Sequence, residues 1–154
     1  VLPDTTSLEG IEKGYKTLRP YGGRILLLAN AEKQKDLATK IEAMNLPKGK
    51  VTPTEKGLIL DRVGPLPGAA NWTHEHADAS NTRVSKDSVV KTPLGVLWFG
   101  GTTHDGILPR HGHGPQPQVC DGRIFIEGID KMRAVDLYTG RLLWETSLPG
   151  LGDL

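Results

Sequence analysis

The sequence has too few cysteines and too short apolar runs for several classes of protein. Cys120 is the single cysteine among 154 residues, so neither an internal disulfide nor a Cys-x-x-Cys site can form. The longest apolar run, residues 25–29, is far shorter than the roughly 20 residues of a membrane-spanning helix. The chain opens without methionine, basic leader or apolar leader. We expect no membrane span, and an excerpt of a longer protein.

Charge of one sign and the common catalytic motifs are lacking as well. The chain has 19 Lys and Arg against 18 Asp and Glu, which leaves no basic excess for nucleic acid or anionic membranes. No G-x-S-x-G hydrolase motif, G-x-G-x-x-G loop or P-loop occurs. We therefore predict no nucleic-acid partner, no Ser-His-Asp hydrolysis of that type and no phosphate cradle.

Residues 7–62 alternate between helical and strand patterns. Ser7 and Asn30 fit helix N-caps before two runs whose apolar residues recur every three or four positions. Two short apolar runs, 24–29 and 56–63, are predicted strands, and the first is expected to be covered on both faces. This order indicates a layered α/β fold. The two apolar helical stripes consist of Leu8, Ile11, Tyr15 and Leu18, and of Leu37, Ile41 and Met44.

The turn after the first predicted helix carries a family resemblance, in Leu18, Pro20, Gly22 and Gly23 of KTLRPYGGRILLLAN. It resembles the late part of class I S-adenosylmethionine-dependent methyltransferases, where a similar turn, without the inserted Tyr21, leads into the fifth strand. That family binds its cofactor through an upstream glycine-rich loop and acidic residue, which this sequence does not contain. Methyl transfer is therefore not carried over to these residues, and any Rossmann-like α/β end piece remains an alternative.

Glycine and proline are abundant in the rest of the chain. Of the 19 Gly and 11 Pro, 12 Gly and 6 Pro follow Pro65, and we predict turn-rich β structure there. The connector RVGPLPGAANW marks a domain boundary near residue 66. We assign residues 1–65 to the C-terminal part of a methyltransferase-like α/β domain and residues 66–154 to a separate β domain.

Three short strand patterns, RIFIEG, MRAVDL and RLLWE, follow one another near the C-terminus and predict an antiparallel meander. In the last turn, Gly140 supplies the positive φ that a tight hairpin needs, and Asp136 and Thr139 can hydrogen-bond the neighbouring backbone. Ala134 is small enough to leave room for a large ring. Trp144 can supply that ring by inserting between sheets.

The spacing Ala134-x-Asp136-x-x-Thr139-Gly140-x-x-x-Trp144 resembles the tryptophan-docking repeat of pyrroloquinoline-quinone (PQQ)-type β-propellers. In that family the Trp of each blade packs against the neighbouring blade. The resemblance implies a mixed fold class, a Rossmann-like α/β end piece followed by the antiparallel meander of one or more propeller blades. Since a propeller closes with about four to eight blades, the remaining blades are expected outside this sequence.

Two upstream segments resemble the same family. PLGVLWFGG resembles the first long strand, with Leu97 and Trp98 in place of the usual Leu-x-x-Trp. NWTHEHADASNTRVS resembles the opening of the first blade. The residues that carry this second likeness are Trp72, Asp78, Asn81, Thr82 and Ser85.

All five histidines lie between residues 74 and 113. His-x-His on a strand places both rings on one face, a geometry used for metal ligands. Capping of loops, a substrate site and acid–base catalysis are the alternatives. Arg110 can add an anion-binding fork. The candidate metal ligands are His74, His76, His111 and His113, with His104 nearby in sequence and Glu75, Asp78 and Asp105 as candidate oxygen ligands or hydrogen-bond partners.

These resemblances imply three functions for the longer protein. The first is a propeller scaffold for ligand or protein contacts, with the remaining blades and a further protein as partners. The second is methyl transfer from S-adenosylmethionine, with the propeller presenting the substrate. The third is quinone-dependent oxidation with PQQ and calcium, whose site would draw on several blades. We expect no cofactor within residues 1–154 themselves. The propeller favours the bacterial cell envelope or periplasm, although no leader is visible.

Overall fold

The computed structural model describes residues 7–101, 103–108 and 114–152. They belong to two compact units, 1–67 and 68–154. Both units are built on antiparallel sheets, and helices occur beside the first sheet, so the mixed α/β class is confirmed. None of the helices in the described ranges is long and apolar enough to cross a membrane.

The first unit contains two helices and a three-stranded sheet. Ser7 Oγ accepts the Gly10 N–H at 3.0 Å, and Asn30 Oδ1 accepts the Lys33 N–H at 3.1 Å, which confirms both predicted N-caps. The strand order is β1-β3-β2, and both pairings are antiparallel. The elements are α1 (Leu8–Thr17), β1 (Gly23–Leu28), α2 (Ala31–Ala43), β2 (Gly49–Thr54) and β3 (Gly57–Arg62).

One face of this sheet holds the hydrophobic core of the unit. Strand pairing places Ile25 opposite Leu60 and Leu27 opposite Leu58, and both helices pack over these rows. Burial of each such side chain stabilises the fold by about 1.5–3 kcal/mol. The Tyr15 hydroxyl donates to the Pro47 carbonyl at 2.7 Å, so this buried ring keeps its hydrogen bond. The buried cluster consists of Ile11, Tyr15, Leu27, Ile41, Leu58 and Leu60.

The opposite face of the sheet departs from the sequence expectation. β1 was expected to be covered on both faces, but Leu26 and Leu28 are exposed. Both helices contribute to the core on the other face, so within the described residues this face receives only partial cover. A continuous apolar run is typical of a strand covered on both faces, so the sequence pattern does not reveal this exposure. The Arg24–Asp61 ion pair, at 2.7 Å, lies in the neighbouring cross-strand row.

The second unit contains a meander of four antiparallel strands in the order β4-β5-β6-β7. The three predicted strands are confirmed as β5 (Arg123–Gly128), β6 (Lys131–Asp136) and β7 (Leu142–Ser147), and β4 (Gln118–Cys120) precedes them. Ile126, Ala134 and Val135 are its buried apolar residues along these strands. The described residues of this unit form this one sheet and no closed ring of blades.

The chain before β4 is mostly irregular. All residues from 93 to 101 are described, yet none lies in a strand, so the long strand predicted for PLGVLWFGG is wrong for this chain. A short 3-10 turn occupies His104–Gly106. Further upstream, Trp72 and Val119 exchange backbone hydrogen bonds of 2.8 and 2.6 Å. Residue 72 thus covers part of the outer edge of β4.

Candidate functional site

The turn between β6 and β7, residues 136–141, is here called the docking hairpin. Its first residue, Asp136, is buried, and its Oδ1 accepts the N–H groups of Tyr138 and Thr139, each at 3.0 Å. The backbone closes the turn through Asp136 N–H to Arg141 O and Gly140 N–H to Asp136 O, both 2.8 Å. These bonds confirm the predicted capping role of Asp136, because the carboxylate satisfies donors that a tight turn would leave unpaired.

An indole from the irregular segment packs on this hairpin. Trp98 Nε1 donates to the Leu137 carbonyl oxygen at 2.8 Å. The six-membered ring of Trp98 lies against Gly140, where an added Cβ would collide with it. Gly140 also has φ +68°, as predicted. Glycine is therefore required twice at this position, once for the turn and once for close approach of the ring.

The residues predicted to form a docking motif divide into two groups in the structure. Asp136 and Gly140 shape the hairpin that receives Trp98, together with Thr139, whose Oγ1 accepts the Arg141 N–H at 3.4 Å. Ala134 and Trp144 face each other across β6 and β7.

Trp144 does not insert between sheets within the described part of the chain. Its side chain remains 39 % exposed, and its ring packs against Phe125 with a centroid distance of 6.2 Å and a tilt of 53°. Ala134 is fully buried opposite it, so the prediction that a small residue lies beside the ring is confirmed.

Sequence reasoning missed Trp98 as the docked ring. The signal was present in the dipeptide Leu97-Trp98, which repeats Leu143-Trp144. It was interpreted as part of a regular strand instead. The Trp98 indole bonds to a backbone carbonyl about forty residues further along the chain. A local sequence pattern cannot indicate such a distant contact.

The hydrogen bonds of β7 with β6 are reinforced by charge. Arg133 pairs with Glu145 at 3.0 Å, and Lys131 lies 3.6 Å from the same carboxylate. The Arg133 side chain is only 11 % exposed and its guanidinium would meet any Cβ placed on Gly106. This ion pair joins β6 to β7 at directly opposite positions, three residues before the docking hairpin on β6.

The two described candidate metal ligands have other contacts. The Thr73 hydroxyl lies 2.9 Å from Nδ1 of His74, in a turn closed by the Thr73 N–H bond to Ala77 O. The Arg83 guanidinium lies 3.2 Å from Nε2 of His76. Because Arg only donates, this His76 nitrogen accepts and is not offered to a metal in this arrangement.

Among the other residues considered for the metal site, His104 lies within the described part of the chain. His111, His113 and Arg110 lie outside it, whereas His104 lies in the separate 3-10 turn. Within the described ranges no group of three or more His, Cys, Asp or Glu could hold a metal ion. A metal site at His74, His76, His111 and His113 therefore stays a prediction.

Two carboxylates organise the irregular segment around these histidines. Asp78 pairs with Lys86 at 2.6 Å and accepts the Ser80 N–H at 2.9 Å. Asp87 accepts the N–H groups of Val89 and Val90 at 2.8 and 2.9 Å, and that of Ala70 at 3.3 Å. The Lys86 bond lowers the pKa of Asp78 most, and the Val90 N–H lowers that of Asp87 most, since each stabilises the charged form.

Comparisons with known proteins add no family name. No family model matches the sequence, and no curated protein or solved structure is significantly similar to it. The methyltransferase and propeller resemblances therefore stay predictions.

Proposed function

We propose that residues 68–154 contribute one blade to a PQQ-like β-propeller and act there as a scaffold for ligand or protein contacts. The blade is the sheet β4-β5-β6-β7, a four-stranded antiparallel meander of the kind from which propellers are built. The irregular residues before it would belong to the neighbouring blade.

The observation that carries this proposal is the docking of Trp98. The ring comes from outside the four-stranded sheet, packs on Gly140 and donates its indole N–H to Leu137 O. The resemblance implies that the Trp of one blade packs against the neighbouring blade. The chain thus contains both the Asp136-x-x-Thr139-Gly140 spacing and a Trp ring, from outside the four-stranded sheet, that packs on this hairpin.

The polar residues of the motif support a scaffold over a catalytic role. The Asp136 carboxylate is buried and accepts two backbone N–H groups, so it serves the hairpin. Thr139 Oγ1 also accepts a backbone N–H. Groups held in this way orient the backbone, and their removal is expected to cost stability rather than a chemical step.

Gly140→Ala tests the docking contact, with Gly150→Ala as the matched control. Both glycines have positive φ, +68° and +84°, but a Cβ at Gly150 meets nothing within 4 Å. We expect Gly140→Ala to lower the unfolding temperature clearly more than Gly150→Ala and to shift Trp fluorescence to the red. Equal effects of both variants would show that the contact between Trp98 and Gly140 does not stabilise the unit.

Electron microscopy of the complete gene product tests the scaffold proposal directly. A ring of blades around a central channel is the expected result. A well-resolved particle without such a ring would overturn the proposal, whatever the outcome of the glycine variants.

Methyl transfer by the complete protein is the second candidate, and the turn into β1 is the observation that favours it. Tyr21 and Gly22 have φ of +56° and +108°. A Cβ on Gly23 would lie 2.5 Å from Arg19 O, so the Gly22-Gly23 pair is required by this turn. The turn then enters an edge strand to which further strands can add.

Binding of radiolabelled S-adenosylmethionine to the complete gene product tests this second candidate. Equilibrium dialysis should show saturable binding that S-adenosylhomocysteine displaces. Absence of binding by a folded complete protein would exclude methyl transfer.

A further inference from the structure

The outer edge of β1 is the most apolar open sheet edge that the described residues form. Residues 25–28 of this strand are all aliphatic, and within the described part of the chain β1 pairs with β3 alone. The other edges are blunted. β2 contains Pro53, the short β4 is partly covered by residue 72, and β7 ends in the polar run Glu145-Thr146-Ser147. An apolar edge without such protection pairs readily with another strand.

The strand pairing identifies the backbone groups that face this open edge. Ala29 N–H donates to Lys56 O at 3.3 Å, in the same register that joins β1 to β3. Bonded and non-bonded positions alternate along an antiparallel pair, so the odd-numbered residues of β1 bond to β3. The even-numbered residues turn their N–H and C=O groups away from β3. These outward-facing residues are Arg24, Leu26 and Leu28.

A groove of about 800 Å³ lies beside this edge. Leu8 and Ile11 of α1 and Leu37 of α2 line it together with side chains of β1. A strand added to the edge would therefore find apolar contacts as well as backbone partners. The Asp36–Lys40 ion pair of α2, at 2.6 Å, also borders the groove, so its wall carries charges of both signs.

The outward-facing groups of β1 are complementary to those of a second β1 about a two-fold axis at Leu26. In this antiparallel arrangement Leu26 lies opposite Leu26 of the copy, and Arg24 lies opposite Leu28 of the copy. Three residues of each strand turn their backbone groups to the other strand, which gives about six hydrogen bonds. The two Arg24 residues stay roughly 13 Å apart along the strands, and each already pairs with Asp61.

Other antiparallel registers form fewer of these bonds. A shift by one residue sets outward-facing residues opposite residues that face β3. One shift by two residues brings in Gly22, whose N–H already donates to Arg62 O at 2.8 Å. The other brings in Asn30, whose carbonyl oxygen already accepts Gln34 N–H at 3.1 Å in α2. The edge is thus complementary to itself in one register, as a closed two-fold interface requires.

We propose that two copies of this chain pair through the outer edge of β1 and form one continuous sheet, with the strand order β2-β3-β1-β1-β3-β2. Leu26 and Leu28, exposed at 51 % and 76 % in the single chain, then contact the same strand of the copy. The inference concerns the first unit and does not depend on the proposed propeller. A strand supplied by the complete protein itself is the competing occupant of the edge.

Cysteine crosslinking of the 154-residue chain, here called the short chain, tests the register. A Cys120→Ser background removes the single native thiol. Leu26→Cys and Leu28→Cys are the matched pair, since both side chains are exposed. Across the proposed axis, the two Cα atoms at position 26 lie about 5.5 Å apart, within the range of a disulfide. The two at position 28 lie roughly 13 Å apart or more.

Mild oxidation should link most Leu26→Cys chains into disulfide dimers and few Leu28→Cys chains. Non-reducing electrophoresis measures the linked fraction. Equal linkage of the two variants, or linkage of neither, overturns the proposal.

Leu26→Lys and Thr52→Lys test whether the edge of β1 holds the copies together. The two exposed residues flank Ile59 from opposite sides, on the same face of the sheet. Leu26→Lys would place like charges opposite each other at the axis, so it should weaken dimerisation at least about tenfold in sedimentation equilibrium. Thr52→Lys, on the far strand, should leave it unchanged. Equal dimerisation of the two variants contradicts the inference.

Hydrogen exchange resolved by NMR distinguishes a dissociated variant from an unfolded one. In the Leu26→Lys monomer, the outward-facing N–H of Leu28 should exchange at least about tenfold faster than in the dimer, whereas that of Leu27 stays protected by β3. Equal protection of Leu28 in both proteins overturns the proposal. If the variant unfolds, both N–H groups exchange fast, and the cysteine pair decides.

The same crosslinking on the complete gene product separates the two occupants of the edge. The inference requires a disulfide dimer of Leu26→Cys there as well. If β1 pairs with a strand of its own chain, only the short chain is linked and the inference is wrong. A short chain that sediments as a monomer overturns it too. The ring of blades and the binding of S-adenosylmethionine are measured separately, so the proposed function stands or fails independently.

Discussion

The two Leu-Trp dipeptides of the second unit have opposite surroundings. Trp144 lies within a regular strand, yet its side chain is 39 % exposed and touches mainly Phe125. Trp98 lies in an irregular segment, yet its ring packs on Gly140 and its N–H is hydrogen-bonded. Membership of a strand therefore does not decide whether a ring is anchored. A ring is anchored where a backbone carbonyl accepts its N–H and a glycine without a side chain leaves room for it.

The largest expected effect on this comparison is that of Trp98→Ala. Because it removes a ring that anchors an otherwise irregular segment, we expect the second unit to lose about 3 kcal/mol of unfolding free energy. Urea denaturation followed by circular dichroism measures this loss. Phe99→Ala, at a fully exposed neighbour, is the control and should change stability by less than about 0.5 kcal/mol. A similar loss in both variants would show that the indole contact is not what anchors the segment.

Asp136→Ala tests the hairpin that receives the ring. It leaves the Tyr138 and Thr139 N–H groups without their acceptor in a partly buried turn, and we expect a loss of about 2 kcal/mol. Fluorescence should also show that Trp98 becomes more solvated. Asp121→Asn, in the turn between β4 and β5, is a useful control because that carboxylate is exposed and Asn tolerates its φ of +48°. Unchanged Trp98 fluorescence in Asp136→Ala would contradict a preorganised hairpin.

Trp144→Ala should have a smaller effect than Trp98→Ala in this chain. The ring is partly exposed and faces only one aromatic side chain, so about 1–2 kcal/mol is expected. If the proposed neighbouring blade of the complete protein receives this ring, the loss should rise there toward about 3–5 kcal/mol. Equal losses in the short chain and in the complete product would show that Trp144 has no further docking partner.

The smallest expected effect is on the acid stability of the irregular segment. The pKa values of Asp78 and Asp87 are lowered from 3.8 in the folded state. Their stabilisation is therefore present above the unfolded-state pKa and is lost as the pH falls through the lower folded-state values. We expect Asp87→Asn to reduce the loss of stability between about pH 5 and about pH 2, as measured by unfolding at each pH. Parallel pH profiles of the two proteins would contradict a role of the Asp87 charge.

Local hydrogen bonding explains which features could be predicted from the sequence. The caps at Ser7 and Asn30 and the turn at Asp136, Thr139 and Gly140 use donors and acceptors within a few residues of each other. Their residue types therefore suffice to indicate them. The meander follows from the same turn signals.

Features that depend on distant packing could not be predicted in this way. β2 contains Pro53 and exposed polar residues, so its sequence does not indicate a strand. Proline is nevertheless tolerated there because β2 lies at the edge of its sheet. The exposure of Leu26 and Leu28 depends on where both helices pack. The docking of Trp98 depends on the backbone carbonyl oxygen of Leu137, far along the chain. Because every residue type carries this oxygen, the identity of residue 137 does not indicate the contact.

The surface that binds the Trp98 ring consists of a backbone carbonyl oxygen and a glycine, which has no side chain. Any amino acid at position 137 would present the same oxygen to the indole, whereas position 140 admits only glycine. A single glycine and a single tryptophan are thus enough to specify how the segment attaches. Substitutions elsewhere in the hairpin that keep its backbone in place therefore leave this point of attachment intact.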